Sequence, residues 1–76
     1  MKVKKAIIKK NNVEFVLINP EKDIPIDRLC SLFGTNTIKV NFQGLGIFEI
    51  EGLNGNQERL GTLENITNLD WTDITI

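Results

Sequence analysis

The residues of this 76-residue chain that are able to do covalent chemistry are few, because it has one cysteine and neither histidine nor tyrosine. Histidine is the commonest general acid–base group, so Cys30 and Ser31 lack the partner that activates a nucleophile. Cys30 also falls on an apolar pattern with Leu29 and Phe33, which predicts a buried structural thiol. A structural zinc site uses four cysteine or histidine ligands, so one cysteine without histidine argues against such a site. The sequence therefore predicts a protein that is not an enzyme and that carries no metal or cofactor.

The paired carboxylates of Glu49 and Glu51 are the next candidates for chemistry. Their i, i+2 spacing puts them on one face of a strand. A glycosidase pair would need one acid of raised pKa inside a groove. The strand pairing predicted for residues 37–62 instead sets Glu51 between Lys39 and Arg59, which indicates an exposed ladder of ion pairs.

The glycine-rich stretch GLNGNQERLG, residues 52–61, allows either a phosphate loop or a chain reversal. A phosphate loop needs a helix directly after the glycines and a lysine in its first turn. A three-residue loop at 54–56 instead gives a hairpin with apolar residues opposite each other and Glu51 opposite Arg59. A two-residue loop would set Glu51 against Glu58, which is unfavourable. We therefore predict a hairpin here and no phosphate site.

The charges of the chain are segregated, although its net charge is only −1. Five lysines lie in the first ten residues: Lys2, Lys4, Lys5, Lys9 and Lys10. Carboxylates dominate from residue 49 onward, so one expectation is that the two ends meet and neutralise each other. The alternative is a small nucleic-acid-binding β-domain that uses the lysine-rich hairpin next to Phe15. A pI near 5.3 argues against that alternative.

Two apolar residues are the candidates for a protein-binding surface. Leu45 is placed at a hairpin tip between Gly44 and Gly46, and Trp71 lies among acidic residues near the C-terminus. Tryptophan is enriched at binding hot spots. Both side chains are alternatively expected to fold back onto the core, and for Trp71 that alternative is preferred. The preferred function is a non-catalytic, regulatory or inhibitory protein-binding module.

The size of the chain fits one small domain over residues 1–76, with a core too small to be very stable alone. Because one cysteine rules out an internal disulfide, self-association into a homodimer is a natural source of further stability. The partner is therefore another protein or a second copy of the chain. No apolar run is long enough for a membrane span or a signal peptide, so the expected location is cytoplasmic.

The elements that must position these residues can be read from the apolar periodicity. Asn11 and Asn12 predict a tight turn between two strands, with Ile8 opposite Phe15. The second of these strands, 13–18, is almost continuously apolar and should be covered on both faces. A short helix over about 25–33 follows, beginning at a proline and presenting one apolar stripe.

The second half of the chain predicts a three-stranded meander over 37–42, 47–53 and 57–62. Its first hairpin pairs Phe42 with Phe48 around a Gly44–Gly46 loop, which matches apolar with apolar on the inner face. An irregular or 3₁₀ segment and a final strand complete the chain. The predicted fold class is α+β, with a mainly antiparallel sheet or small barrel of five to six strands.

Overall fold

A computed structural model describes residues 1–61 and 66–76 of the chain. Within these residues five strands form one open sheet in the order β4-β3-β2-β1-β5, so the predicted α+β class and mostly antiparallel sheet are confirmed and the barrel is wrong. The strands are β1 (Lys2–Lys10), β2 (Val13–Pro20), β3 (Thr37–Gly44), β4 (Ile47–Gly52) and β5 (Thr72–Thr75). The helices are α1 (Ile26–Phe33) and α2 (Asn56–Leu60), with 3₁₀ turns at Leu53–Gly55 and Ile66–Asn68.

The first hairpin forms as predicted. Asn11 and Asn12 make its turn with φ of 53° and 65°, the backbone conformation that asparagine tolerates best among residues other than glycine. Ile8 lies opposite Phe15 and the whole register agrees with the predicted one. The alternation of apolar and charged residues is thus sufficient to fix this pairing.

Strand β2 is the central strand, and both of its faces are covered. Phe15 and Leu17 belong to a core cluster on one face, while Ile18 belongs to a second cluster on the other. Helix α1 supplies Leu29 to the second cluster, and Cys30 of the same stripe is also buried. After α1 the chain returns parallel to β2 as β3, which is the one parallel pair among the described strands.

The hairpin of β3 and β4 has the predicted register, with Phe42 opposite Phe48 and Lys39 opposite Glu51. Its tip is tighter than the predicted three-residue loop. Gly44 pairs with Ile47, and the shift in register between Phe42 and Gly44 indicates a bulge at the intervening residue.

The predicted third strand of the meander over 57–62 is wrong over 57–61, and residue 62 lies outside the described residues. Residues 56–60 form helix α2, preceded by Gly55 in a left-handed conformation with φ of 74°. The buried side chain of Asn56 donates from Nδ2 to the Thr35 carbonyl at 2.8 Å, so the start of α2 is tied to the turn that follows α1. Leu60 still reaches the core and is fully buried.

The predicted pairing of Arg59 with Glu51 is wrong for the same reason. The guanidinium of Arg59 donates to Asn56 Oδ1 at 3.1 Å and lies 5.8 Å from the centre of the Phe15 ring. A helical 56–60 turns Arg59 away from β4 and towards the other face of the sheet. The expected ladder of three charges is therefore reduced to one ion pair between Lys39 and Glu51.

The end of the chain lies against its beginning, as the charge distribution suggested. Strand β5 is antiparallel to β1, with Asp73 opposite Lys4. The amino group of Met1 donates to the Ile76 carbonyl at 2.8 Å. The 3₁₀ turn at Ile66–Asn68 agrees with the predicted irregular segment, and Leu63 of that segment lies outside the described residues.

Neither α1 nor α2 has the length and apolar content needed to cross a bilayer, and the same holds for every helix of residues 1–61 and 66–76.

Candidate functional site at the tip of the β3–β4 hairpin

Three of the seven large apolar side chains that are exposed in the described residues lie in the β3–β4 hairpin, and they include the two most exposed. Leu45 is fully exposed, at 105% of its reference area, and Ile47 is 64% exposed. Phe42, three residues before Leu45, is 37% exposed. We call Phe42, Leu45 and Ile47 the tip surface. A single exposed leucine needs no explanation, but here Leu45 at the tip lies between Phe42 on one face of the hairpin and Ile47 on the other.

The backbone at Leu45 makes its exposure more informative. Leu45 has φ of 48° and Gly46 has φ of 79°, so both turn residues are left-handed. Asn-Gly is the usual choice for such a turn, and a bulky residue with positive φ is uncommon. The structure therefore holds a leucine where the turn itself favours asparagine or glycine.

Trp71 adjoins this surface from the side of the core. Its ring meets Phe42 edge-to-face at 6.0 Å between centres, and its Nε1 donates to the Ile66 carbonyl at 2.9 Å. Trp71 is half-buried and packs on the cluster that contains Leu17. The expectation that Trp71 folds back onto the core agrees with this geometry, whereas Leu45 does not fold back. A binding role for Trp71 stays a prediction. In the structure the ring of Trp71 packs against the ring of Phe42 and holds it in place.

Charged groups line the opposite face of the same hairpin. Lys39 is only 5% exposed, and its Nζ donates to Asp23 Oδ1 at 3.1 Å and to the Ile24 carbonyl at 2.9 Å. It also lies 3.3 Å from Glu51 Oε1. The prediction of a solvated outer face is therefore wrong at Lys39, because the segment that leads into α1 covers it.

The environment of Lys39 changes its pKa. Burial alone would lower the pKa of this ammonium group, but the hydrogen bonds with Asp23 and Glu51 outweigh burial and raise the pKa above its usual 10.5. The charged form is thus favoured by folding. The two carboxylates are exposed, so their ion pairs are partly screened by water.

A stability change at high pH follows from the raised pKa of Lys39. The charged Lys39 stabilises the fold fully at a pH below the pKa of lysine in the unfolded chain, about 10.4. This stabilisation is lost as the pH rises through the pKa of Lys39 in the folded chain. We expect the free energy of unfolding to fall more steeply above about pH 10 in the wild type than in Lys39→Met. Urea denaturation between about pH 8 and pH 12 measures this. Lys22→Met, at an exposed position, should keep the wild-type slope; equal slopes for Lys39→Met and the wild type would contradict the prediction.

The five lysines of the alternative nucleic-acid site do not share one face. Strand alternation directs Lys2, Lys4 and Lys10 to one side of β1, and Lys5 and Lys9 to the other.

Two further contacts bear on that alternative. The Nζ of Lys10 donates to the Leu60 carbonyl, so this lysine is tied to α2. Phe15, the aromatic residue beside the hairpin, is 1% exposed and presents no ring for stacking. The lysine-rich hairpin thus lacks the exposed basic and aromatic surface on which single-stranded nucleic acids stack.

Cys30 and the acidic side chains are the candidates for catalysis and metal binding. Cys30 is buried, and burial raises the pKa of its thiol above the usual 9.0, which disfavours the reactive thiolate. In the part of the chain that the structure describes, no three His, Cys, Asp or Glu side chains form a group that would hold a metal ion. A hollow of about 500 Å³ beside Ile7 and Asp70 is open to solvent.

Comparisons with protein-family models, with curated proteins and with solved structures gave no significant match to this chain.

Proposed function

We propose that this chain is a non-catalytic protein-binding module, of a regulatory or inhibitory kind, and that the tip surface contacts its partner. The observation that carries the proposal is Leu45, which is fully exposed while its backbone is left-handed. A left-handed residue with a side chain costs roughly 1–2 kcal/mol, and glycine and asparagine avoid most of this cost. Leu45 regains none of it by burial within the chain.

The neighbours of Leu45 support the same function. Phe42 and Ile47 extend the exposed apolar area from the tip onto the two faces of the hairpin, and Trp71 packs behind Phe42. Burial of such side chains against a partner is favourable because it removes their apolar surface from water. A hairpin whose register is fixed by its strands presents them without a large loss of conformational freedom.

A nucleic-acid partner is the runner-up and has less support. The lysines are divided between two faces of β1, and Phe15 is buried. A homodimer through the tip surface stays within the proposal, since a second copy is also a protein partner.

The substitution Leu45→Asn separates folding from binding at the tip. Asparagine suits the left-handed backbone, so we expect the free energy of unfolding to rise by up to about 1 kcal/mol. The same substitution removes the exposed apolar group, so partner binding should weaken. Urea denaturation measures the first effect, and affinity capture from cell extract with tagged protein measures the second.

Leu32→Ser is the matched control, because Leu32 is also exposed, at 51%, but lies on α1 away from the hairpin. The proposal requires that Leu45→Asn loses a captured protein that the wild type and Leu32→Ser both retain. Capture of the same proteins by all three would remove the tip surface as a binding site. Light scattering of the purified wild type shows whether the partner is a second copy.

A further inference from the structure

The outer edge of β4 continues the tip surface along the sheet. Strand β4 is the last strand in the order β4-β3-β2-β1-β5, and within the described residues only β3 pairs with it. Alternate residues of an antiparallel edge strand direct their backbone N–H and C=O groups away from the sheet. The edge is six residues long, Ile47–Gly52, which is enough for one added strand.

The side chains along this edge differ between its two faces. Phe48 and Ile50 point to the face of the core cluster and are half-buried. Glu49 and Glu51 point to the opposite face and are exposed. On that face Lys39 faces two carboxylates, Asp23 and Glu51, and Glu49 lies opposite the neutral Asn41, so negative charge is in excess.

We propose that the β4 edge binds an extended segment of the partner protein as an additional strand, and that this segment alternates lysine or arginine with apolar residues. The inference rests on the proposed protein-binding function and names the partner's chemistry. Basic residues of the segment face Glu49 and Glu51, and apolar residues continue the row of Phe48 and Ile50. Strand addition gains affinity from main-chain hydrogen bonds and specificity from alternate side chains.

A second copy of this chain is a poorer occupant of the same edge. If two β4 strands pair antiparallel about their middle, Glu49 lies opposite either Glu49 or Glu51 of the other copy. Like charges directly opposite each other in a sheet are destabilising. Charge at an edge is also a common means by which sheets avoid pairing with themselves. The acidic face therefore selects against self-pairing and in favour of a basic strand.

The test uses a labelled synthetic decapeptide of alternating lysine and valine, titrated into the wild-type protein and followed by fluorescence anisotropy. A peptide of the same composition with the lysines and valines in two blocks is the first control. A second control carries N-methyl groups on alternate amides, so that it lacks half of its hydrogen-bond donors. We expect the alternating peptide to bind about tenfold or more tightly than either control.

Charge exchange then locates the peptide on the protein. Glu49→Lys should weaken binding of the lysine–valine peptide by about five- to tenfold and should favour a glutamate–valine peptide instead. Glu14→Lys makes the same charge change at an exposed position on β2, opposite Lys9, and should leave the affinity near that of the wild type. Hydrogen exchange should show new protection of amides in Ile47–Gly52 when the peptide binds.

Each of the following results would overturn the inference that β4 binds an added strand. Equal binding of the alternating and block peptides, or equal effects of Glu49→Lys and Glu14→Lys, would mean attraction by net charge without strand addition. A concentration-dependent dimer protected along β4 in the absence of peptide would make the second copy the occupant. If the peptide does not bind while Leu45→Asn still abolishes capture of the partner, the β4 edge is not the binding site and the protein-binding function stands. If Leu45→Asn leaves capture unchanged, the tip surface is not a binding site.

Discussion

Leu60→Ala is expected to lower the free energy of unfolding by about 2–5 kcal/mol, the usual range for truncating a fully buried leucine. Leu60 has no exposed area and packs with Phe15, Leu17 and Ile38 in the larger core cluster. A domain of 76 residues has a total stability of roughly 4–11 kcal/mol, so this single change removes a large part of it. Urea denaturation followed by circular dichroism measures the loss.

Leu32→Ala is the matched control for Leu60→Ala, because the same atoms are removed from a side chain that is 51% exposed. It should change stability by less than about 0.5 kcal/mol, the range of ordinary surface substitutions. The comparison also tests the position of α2. If both substitutions had the same small effect, Leu60 would not be part of the core and the helical placement of 56–60 would be wrong.

Lys39→Glu is expected to cost more than about 4 kcal/mol and to leave little folded protein at room temperature. The substitution replaces a buried cation by a carboxylate next to Asp23 and Glu51, and it leaves the Ile24 carbonyl without its donor. Burial of an unpaired charge and repulsion among three carboxylates act in the same direction. The far-ultraviolet circular dichroism spectrum and the thermal midpoint measure this effect.

Lys22→Glu makes the same change of net charge at an exposed position and should retain the wild-type fold. Lys39→Met should lie between the two, because it fills the space without adding a charge. A Lys39→Glu protein as stable as Lys22→Glu would place Lys39 on a solvated face, as the sequence alone had suggested.

The hairpins were predictable because their information is local. In the first hairpin, Asn11 and Asn12 define the turn and Lys9 opposite Glu14 fixes the register. In the second, Phe42 opposite Phe48 settles the pairing, although the bulge before Gly44 was missed. In both cases a one-residue shift would bring apolar residues opposite charged ones.

Helix α2 was missed because two patterns competed over the same residues. The alternation that matched Ile50 with Leu60 and Glu51 with Arg59 is satisfied by a strand. Gln57, Glu58, Arg59 and Leu60 are nevertheless better helix formers than strand formers, and that signal was available. The burial of Asn56 against Thr35 depends on contacts across the fold and was not readable from the sequence.

The burial of Lys39 and the parallel pairing of β3 with β2 share one cause. Both follow from the path of α1 across the sheet, which places Asp23 and Ile24 over the middle of β3. Periodicity along a strand shows which side chains share a face, but it does not show what covers that face. The candidate site was predictable only at Leu45, from its flanking glycines; the exposure of Ile47 depends on the tight turn and the bulge.

The pairing of β1 with β5 has a consequence during synthesis. The two strands of the first hairpin leave the ribosome early, whereas the strand that completes the outer side of β1 is supplied by residues 72–75. Until then the edge of β1 along Lys2–Lys5 is unpaired, and an open strand edge of this kind promotes aggregation. Lys2, Lys4 and Lys5 lie on this stretch, and lysines on an edge strand are a common means by which sheets avoid pairing with neighbouring chains.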